Sequence, residues 1–223
     1  MRTSRSCHKN TFVAVIKIEI VMKNLKLMKE EFIALLKETG REGVDYVIED
    51  LEDLGFYEAP ASSAFHLNRD GGLVEHSLNV CKVALKLRES MVDMDGSLAM
   101  ELPKDSIIIA SLLHDACKAD IYKPVIKKHK NQYGVWEDKP GYDVDYSNFP
   151  LGHGEKSVIM LLRSGLDMTD EEIMAIRWHM NAWEIPFQSF DSKSNYNAAK
   201  CKSPLVSLIQ AADNLAATLL ERE

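Results

Sequence analysis

The sequence has little of what marks a secreted, membrane-spanning or nucleic-acid-coating protein. Lys and Arg number 27 against 34 Asp and Glu, and the resulting net charge of −7 argues against an extended nucleic-acid-binding surface. The few cysteines show no C-x-x-C spacing and give no sign of an oxidising compartment; they are Cys7, Cys81, Cys117 and Cys201. We therefore expect a cytoplasmic protein whose partner is a small molecule, and the sequence carries no signal for an oligomeric state.

A long hydrophobic run is also missing. Residues 11–22 are mostly apolar, but Lys17 and Glu19 interrupt them, they are too short to cross a bilayer, and no signal-peptide cleavage site follows. Their alternation hints at a strand, while a translation start at Met22 or Met28 is an alternative that the sequence leaves open. We expect no membrane association, and we interpret residues 1–28 as an N-terminal extension and residues 29–223 as a single helical domain.

Strand signals are few, and apolar side chains recur instead at helical spacing, which predicts an all-α bundle. Helices are expected before Gly40 and Gly55, around His76 and His114, and near residues 153–164, 169–181 and 204–221. Residues 120–150 break this pattern and are rich in aromatic side chains. Because long loops in compact domains are often functional, we predict a long aromatic loop that covers the site after the His114 helix.

The most informative residues are His114 and Asp115, which end the apolar run from Ile107 to Leu113. A helix that is apolar on nearly all sides must be buried. A histidine and a carboxylate in such a place need strong partners, because an unpaired buried charge is very costly. A metal ion is the obvious partner.

Further metal-type ligands occur in separate predicted helices. His76 falls on the apolar stripe of its helix, and Asp213 shares a face with Ile209 and Ala216. His153 begins another predicted helix, and His179 lies near the end of one. The sequence thus predicts that several helices each direct one ligand to a shared centre.

The order of these ligands resembles the HD superfamily of metal-dependent phosphohydrolases. The motifs that carry this resemblance are Gly-Gly-Leu-Val-Glu-His ending at His76, Leu-Leu-His-Asp-Ala-Cys-Lys ending at Lys118, Leu-Gly-His ending at His153, and Ala-Asp-Asn-Leu around Asp213. Together they lie within residues 60–221. The resemblance implies an HD-type helical bundle in which His76, His114, Asp115 and Asp213 bind one divalent metal, while His153 and His179 match the additional ligands of two-metal members.

In their amino-acid sequence the motifs are similar to the HD domain of bacterial 3′–5′ exoribonucleases. The residues before the motifs are too few and too helical for the OB-fold that binds single strands in those enzymes. An HD-GYP signature is also missing. We therefore expect neither RNA degradation nor hydrolysis of cyclic dinucleotides.

The ligand types indicate the cofactor and the chemistry. Imidazoles and carboxylates suit one or two divalent ions of Mn, Fe, Co, Ni or Zn, with Mg²⁺ as a further option, and the lack of thiolates favours an open catalytic site over a closed structural one. Such a metal polarises a phosphoryl oxygen and activates water. By similarity to the family, Asp115 bridges the metals and orients that water.

Three residues are candidates for contact with substrate. Lys118 shares a helix face with His114 and Asp115 and is expected to neutralise a substrate phosphate, although a lysine at a helix end can also extend to water. His66 precedes the Gly-Gly turn and is expected to line the pocket, or else to be a solvated loop residue. Trp183 flanks His179, where it is expected to stack on a ring or simply to pack.

These observations predict a metal-dependent phosphohydrolase that acts on a small phosphate ester, a nucleotide being one candidate. Two alternatives stay open at this point. The six ligands also suit a di-iron oxygenase of HD type, and the domain could be a non-catalytic nucleotide-binding regulatory module. Retention of the whole ligand set argues against the regulatory module.

Overall fold

In the computed structural model, residues 22–180 and 189–222 are described. The helices are α1 (residues 22–38), α2 (Val44–Asp53), α3 (Gly72–Met94), α4 (Leu98–Glu101), α5 (Lys104–Leu113), α6 (Lys118–Ile121), α7 (His153–Arg163), α8 (Asp170–Trp178), α9 (Phe190–Lys202) and α10 (Pro204–Leu215), which continues as a π-helix (Ala216–Leu220). Two strands, β1 (Tyr122–Lys130) and β2 (Trp136–Val144), lie between α6 and α7. The predicted helical bundle is confirmed.

Helix α5 lies at the centre of the bundle and packs against α3, α8 and α10. From Ser106 to Leu113 each of its side chains is buried, as the apolar run predicts. Full burial of an aliphatic side chain stabilises a fold by about 1.5–3 kcal/mol, so this packing fixes α5 firmly. The residues that follow Leu113 are therefore held at a defined position between three other helices.

The predicted helix boundaries are confirmed where capping signals mark them. Thr169 and Glu172 form a capping box at the start of α8, and Ser203 caps α10 with Pro204 in its first turn. Helix α1 already covers residue 22, ahead of the predicted domain start at residue 29, because Leu25 and Met28 pack against the core. Helix α9 was not predicted, since it is polar on most sides and buries only two of its side chains.

The prediction of a long aromatic loop in residues 120–150 is wrong. Strands β1 and β2 form an antiparallel hairpin in register from Tyr122 opposite Val144 to Lys130 opposite Trp136. Most of its side chains are exposed, so the hairpin shows little of the apolar alternation that predicts a strand.

Local signals explain the hairpin. Pro124 and Pro140 are tolerated because each strand of a two-stranded sheet is an edge strand and needs to pair on one side only. At the turn, the Asn131 side-chain oxygen accepts hydrogen bonds from the backbone amides of Tyr133 and Val135. Gly134 adopts a φ of +80°, which favours glycine. The hairpin is therefore specified by its turn and its backbone ladder rather than by burial.

The start of α3 is tied closely to the preceding loop. A Cβ on Gly72 would lie 2.0 Å from the carbonyl oxygen of Leu67, so only glycine permits this approach. The Leu73 amide donates to the Ala59 carbonyl, and the Gly71 amide donates to the Glu58 carbonyl. These contacts set the position of α3, and with it the position of His76.

Within residues 22–180 and 189–222, no helix combines the length and the apolar character needed to cross a membrane.

Candidate metal centre

Four helices bring the predicted ligands together. His76 lies in the second turn of α3, and Asp213 lies near the end of α10. His114 and His179 are the C-terminal caps of α5 and α8, and Asp115 follows His114 in the turn that leads to α6. The three histidines and Asp115 are each at most 3% exposed, so the centre lies inside the bundle.

The first group of ligand atoms surrounds His76. Its Nε2 lies 3.3 Å from Nε2 of His114 and 3.2 Å from Oδ1 of Asp213. Ligand atoms about 2.1 Å from one ion lie roughly 3.0–3.4 Å apart in octahedral or tetrahedral geometry. The two distances from His76 fit this range, and all three ligand atoms lie within 4.8 Å of one another, so the group could hold one metal ion.

Asp115 connects this group to His179. Its Oδ2 lies 3.3 Å from Nε2 of His114, and its Oδ1 lies 3.4 Å from Nε2 of His179. The two oxygens of one carboxylate thus face different histidines. This is the arrangement that a bridging carboxylate requires.

The hydrogen bonds of the three imidazoles leave their Nε2 atoms for a metal. His114 and His179 each direct Nδ1 to a backbone carbonyl, that of Ser111 at 2.8 Å and that of Ile176 at 2.7 Å. His76 directs Nδ1 to the carboxylate of Glu221 at 3.0 Å. Because each Nδ1 donates to an oxygen acceptor, Nε2 is in each ring the nitrogen that faces the centre and could bind a metal once it is deprotonated.

Two buried polar atoms support this interpretation. Nε2 of His179 and Oδ1 of Asp115 have no hydrogen-bond partner among the described residues. A buried polar atom without a partner is costly, and a bound ion would satisfy both atoms at once. The donor set, nitrogen and oxygen without sulfur, suits the divalent ions that the sequence predicts.

The electrostatics of the centre favour cations. Burial lowers the pKa of His76, but its hydrogen bonds to Asp213 and Glu221 outweigh burial and raise the pKa to about 9. Burial raises the pKa of Asp115, but Lys118 and His114 beside it hold the pKa well below its usual range. The pKa of Asp213 is likewise lowered, because its contact with His76 outweighs burial. Protons thus occupy this centre in the metal-free protein, and a metal ion would displace them.

Lys118 does not extend to water. It is 8% exposed, and its Nζ lies 2.6 Å from Oδ2 of Asp115. The Asp115 carboxylate outweighs the effect of burial and raises the pKa of Lys118, so the side chain is charged. A buried cation therefore lies directly beside the ligand cluster.

The centre borders an open cavity of about 830 Å³, a volume within the range of small-molecule sites. Lys118, Phe65 and His66 also line this cavity. Helix α10 and the π-helix that continues it add small and polar side chains, namely Ser207, Gln210, Ala211, Asn214 and Ala217. Phe65 is 81% exposed. An open, mixed cavity over a metal-type cluster is suited to a small substrate.

Five of the six predicted ligands converge. The sixth, His153, belongs to none of the groups of ligand atoms that lie within 4.8 Å of one another in the described chain. It begins α7, as predicted, and its role as a ligand stays a prediction. His66 lines the cavity as predicted, with its ring centroid 5.0 Å from that of His76. Trp183 lies outside the described residues.

Sequence reasoning missed Glu221. Its carboxylate is 4% exposed and lies 3.0 Å from Nδ1 of His76. In the sequence it stands in a charged Glu-Arg-Glu segment after the last apolar residues, which is typical of a solvated helix end. The lack of an apolar pattern around Glu221 left no signal for its burial.

Comparison with known proteins agrees with this geometry. Residues 73–218 match the HD domain family model. Over 61 residues the chain is 43% identical to dihydroneopterin 2′,3′-cyclic phosphate phosphodiesterase of Methanocaldococcus jannaschii, a match covering 27% of this chain and 23% of that protein. The matched segment is thus about a quarter of that relative's length. No solved structure matches the chain. Because the family match spans well over half of the sequence and contains the converging ligands, the chain belongs to the HD-domain family.

Proposed function

We propose that the protein is a metal-dependent phosphohydrolase that cleaves a small phosphate ester with an activated water. The observation that carries this proposal is the convergence of three imidazole Nε2 atoms and two carboxylates, four of which belong to residues that line an open cavity. Membership of the HD-domain family and the phosphodiesterase named among its relatives support it.

The residues have distinct roles in this proposal. His76, His114, Asp115 and Asp213 hold the metal, and His179 meets the second oxygen of Asp115. When bound, a divalent metal supplies Lewis-acid polarisation of a phosphoryl oxygen and makes water more acidic. With a single ion held by the His76 group, Oδ1 of Asp115, buried and without a hydrogen-bond partner in the described chain, would accept a hydrogen bond from the attacking water; with a second ion at His179, Oδ1 would be a ligand of that ion instead.

Lys118 acts on the phosphate. Lys118 lines the same cavity as four of the ligands, and its positive charge would stabilise the negative charge that develops on phosphoryl oxygens in the transition state. The short contact with Asp115 holds this charge in place before substrate binds. Because this cation is already in place, the site needs little rearrangement when the substrate reacts.

We infer a cyclic phosphodiester of a small heterocyclic compound as the substrate class. The relative's name specifies a 2′,3′-cyclic phosphate, and the exposed ring of Phe65 at the cavity mouth offers a face on which a planar ring can stack. Trp183 stays a predicted second contact. A nucleotide or a pterin derivative satisfies these requirements.

The number of metal ions depends on His153. The described geometry supports one ion among His76, His114 and Asp213, and the separate contact of Asp115 with His179 supports a second. If His153 is a ligand of the second ion, His153→Ala will lose one of two ions per chain. Equal metal content in the variant and the unaltered protein would remove His153 from the ligand set.

The testing experiment combines metal analysis with a substrate panel. Protein purified without chelator is analysed by elemental mass spectrometry and assayed with 2′,3′-cyclic nucleotides, phosphomonoesters and bis-p-nitrophenyl phosphate. We expect one or two divalent ions of Mn, Fe, Co, Ni, Zn or Mg per chain and the highest kcat/KM for the cyclic heterocyclic esters. Two irons with O₂ consumption and no hydrolysis would indicate an oxygenase instead. Tight nucleotide binding without turnover in any metal would indicate a binding module.

A further inference from the structure

We infer that Glu221 is a positioning residue for the metal ligand His76: its carboxylate fixes the imidazole so that Nε2 faces the metal. This inference rests on the metal centre of the proposed function. It concerns a residue that lies eight positions beyond Asp213 in the sequence, outside every motif that identifies the family here.

The nearest contacts of Glu221 are with His76 and Asn79, and His66 lies farther away, its Nε2 3.7 Å from Oε2 of Glu221. Its two carboxylate oxygens lie 3.1 and 3.0 Å from Nδ1 of His76. Asn79, one helical turn after His76 on α3, donates its side-chain amide to Oε1 of Glu221 at 3.0 Å. The amide of Asn79 thus holds the carboxylate against the histidine.

The π-helix explains how Glu221 reaches this position. The Glu221 backbone amide bonds to the carbonyl of Ala216, five residues earlier, so this turn contains more residues than an α-helical turn. Each residue therefore rotates the chain by a smaller angle, and Glu221 returns toward the face of Asp213. Both ends of the His76 ring are then held by residues from the same continuous helical segment, Asp213 at Nε2 and Glu221 at Nδ1.

Burial of a carboxylate at this place has a chemical reason. Burying a charge is costly unless it is paired, and an apolar side chain would fill the same space at lower cost. A carboxylate that accepts the Nδ1 proton fixes the tautomer of the imidazole and makes Nε2 a stronger metal ligand. The backbone carbonyls that accept from His114 and His179 fix the tautomer without adding a full charge, so His76 is the most strongly polarised of the three.

The test measures metal binding rather than turnover. Chelator-stripped protein is titrated with Zn²⁺ in competition with a chromogenic chelator, for Glu221→Ala, Glu221→Gln, Asn79→Ala and the control Glu49→Gln, which alters an exposed carboxylate on α2. We expect Glu221→Ala to weaken Zn²⁺ binding by about 10- to 100-fold. Glu221→Gln and Asn79→Ala should have smaller effects in the same direction, and the control should have none.

Side-chain nitrogen NMR gives a second readout. In the Zn²⁺-loaded protein, we expect the His76 Nδ1 signal of a protonated nitrogen bonded to a carboxylate, and a shifted signal in Glu221→Gln. A Zn²⁺ affinity within about two-fold of the unaltered protein in both Glu221 variants would overturn the inference, even if their melting temperatures fall, because that result describes a structural role alone. If the unaltered protein itself binds no metal, the proposed function fails together with this inference.

Discussion

The metal centre and the β-hairpin are adjacent in the chain, joined by the single turn of α6, yet they are held together in different ways. In the metal centre, charged side chains lie inside apolar helices and depend on one another. In the hairpin, large apolar side chains such as Ile126, Tyr133 and Trp136 are 64–80% exposed, and the backbone ladder holds the strands together. A substitution in the centre therefore changes several partners at once, whereas one in the hairpin changes mainly its own contacts.

The largest effect is expected for Asp115→Asn. The change removes the charge that faces two histidines and Lys118, and it leaves Lys118 buried without its partner. Replacing a residue that only hydrogen-bonds to a metal ligand lowers metal affinity or activity by roughly 10- to 100-fold. We expect a larger fall in metal content and turnover for Asp115→Asn. Elemental analysis and kcat/KM on a cyclic phosphodiester measure both quantities.

Asp138→Asn in the hairpin is the matched control. Asp138 pairs across the strands with Lys128, and both side chains are exposed. We therefore expect the free energy of unfolding to fall by at most about 1 kcal/mol. Metal content and turnover should not change. A similar loss of activity in both variants would contradict the contrast between the two regions.

Lys118→Met should reduce turnover by roughly 100-fold while metal remains bound, because in the proposed function Lys118 acts on the phosphate and is not itself a ligand. Steady-state kinetics together with metal content separate the two effects. Lys128→Met, in the exposed hairpin, serves as the comparison. Loss of metal in Lys118→Met would show that the lysine mainly holds Asp115 in place.

The stability of the metal-free protein should fall as the pH rises. The pKa of His76 is about 9 in the folded protein and 6.5 in its unperturbed form, so its contribution is fully present below pH 6.5 and is lost as the pH rises through about 9. The metal-loaded protein should show the opposite trend over this interval, because metal competes with the proton on Nε2. Melting temperatures measured from pH 6 to pH 9.5, with and without Zn²⁺, test both trends. If the melting temperature changed with pH in the same way with and without Zn²⁺, the placement of His76 in the metal centre would be contradicted.

Asn131→Ala at the hairpin turn is expected to act on the hairpin and to leave the metal centre unchanged. The change removes the side-chain oxygen that accepts from two backbone amides, each bond contributing about 1 kcal/mol. Hydrogen exchange should become faster in residues 126–140 and remain unchanged in α5. A fall in metal content would mean that the hairpin supports the centre more directly than its contacts indicate.

The same contrast explains what the sequence could predict. Burial in apolar helices makes a histidine or an aspartate conspicuous, so His76, His114, Asp115 and Asp213 were identified before their distances were known. The hairpin was missed because exposed strands lack apolar alternation, although Asn131 and Gly134 mark its turn. Glu221 could not be predicted, because its position depends on a π-helix that no residue pattern in the sequence indicates.

The glycine pair before α3 has a consequence for access to the cavity. Two consecutive glycines suggest a hinge that would let the loop with Phe65 and His66 swing open. The opposite holds here: the missing side chain of Gly72 lets the Leu67 carbonyl approach the helix closely. Backbone hydrogen bonds also join Gly71 to Glu58, Leu73 to Ala59 and Ala61 to Leu67. The close approach and these hydrogen bonds oppose hinge motion at the glycine pair, so we expect the backbone around Leu67 to stay fixed against the first turn of α3, the helix that carries His76.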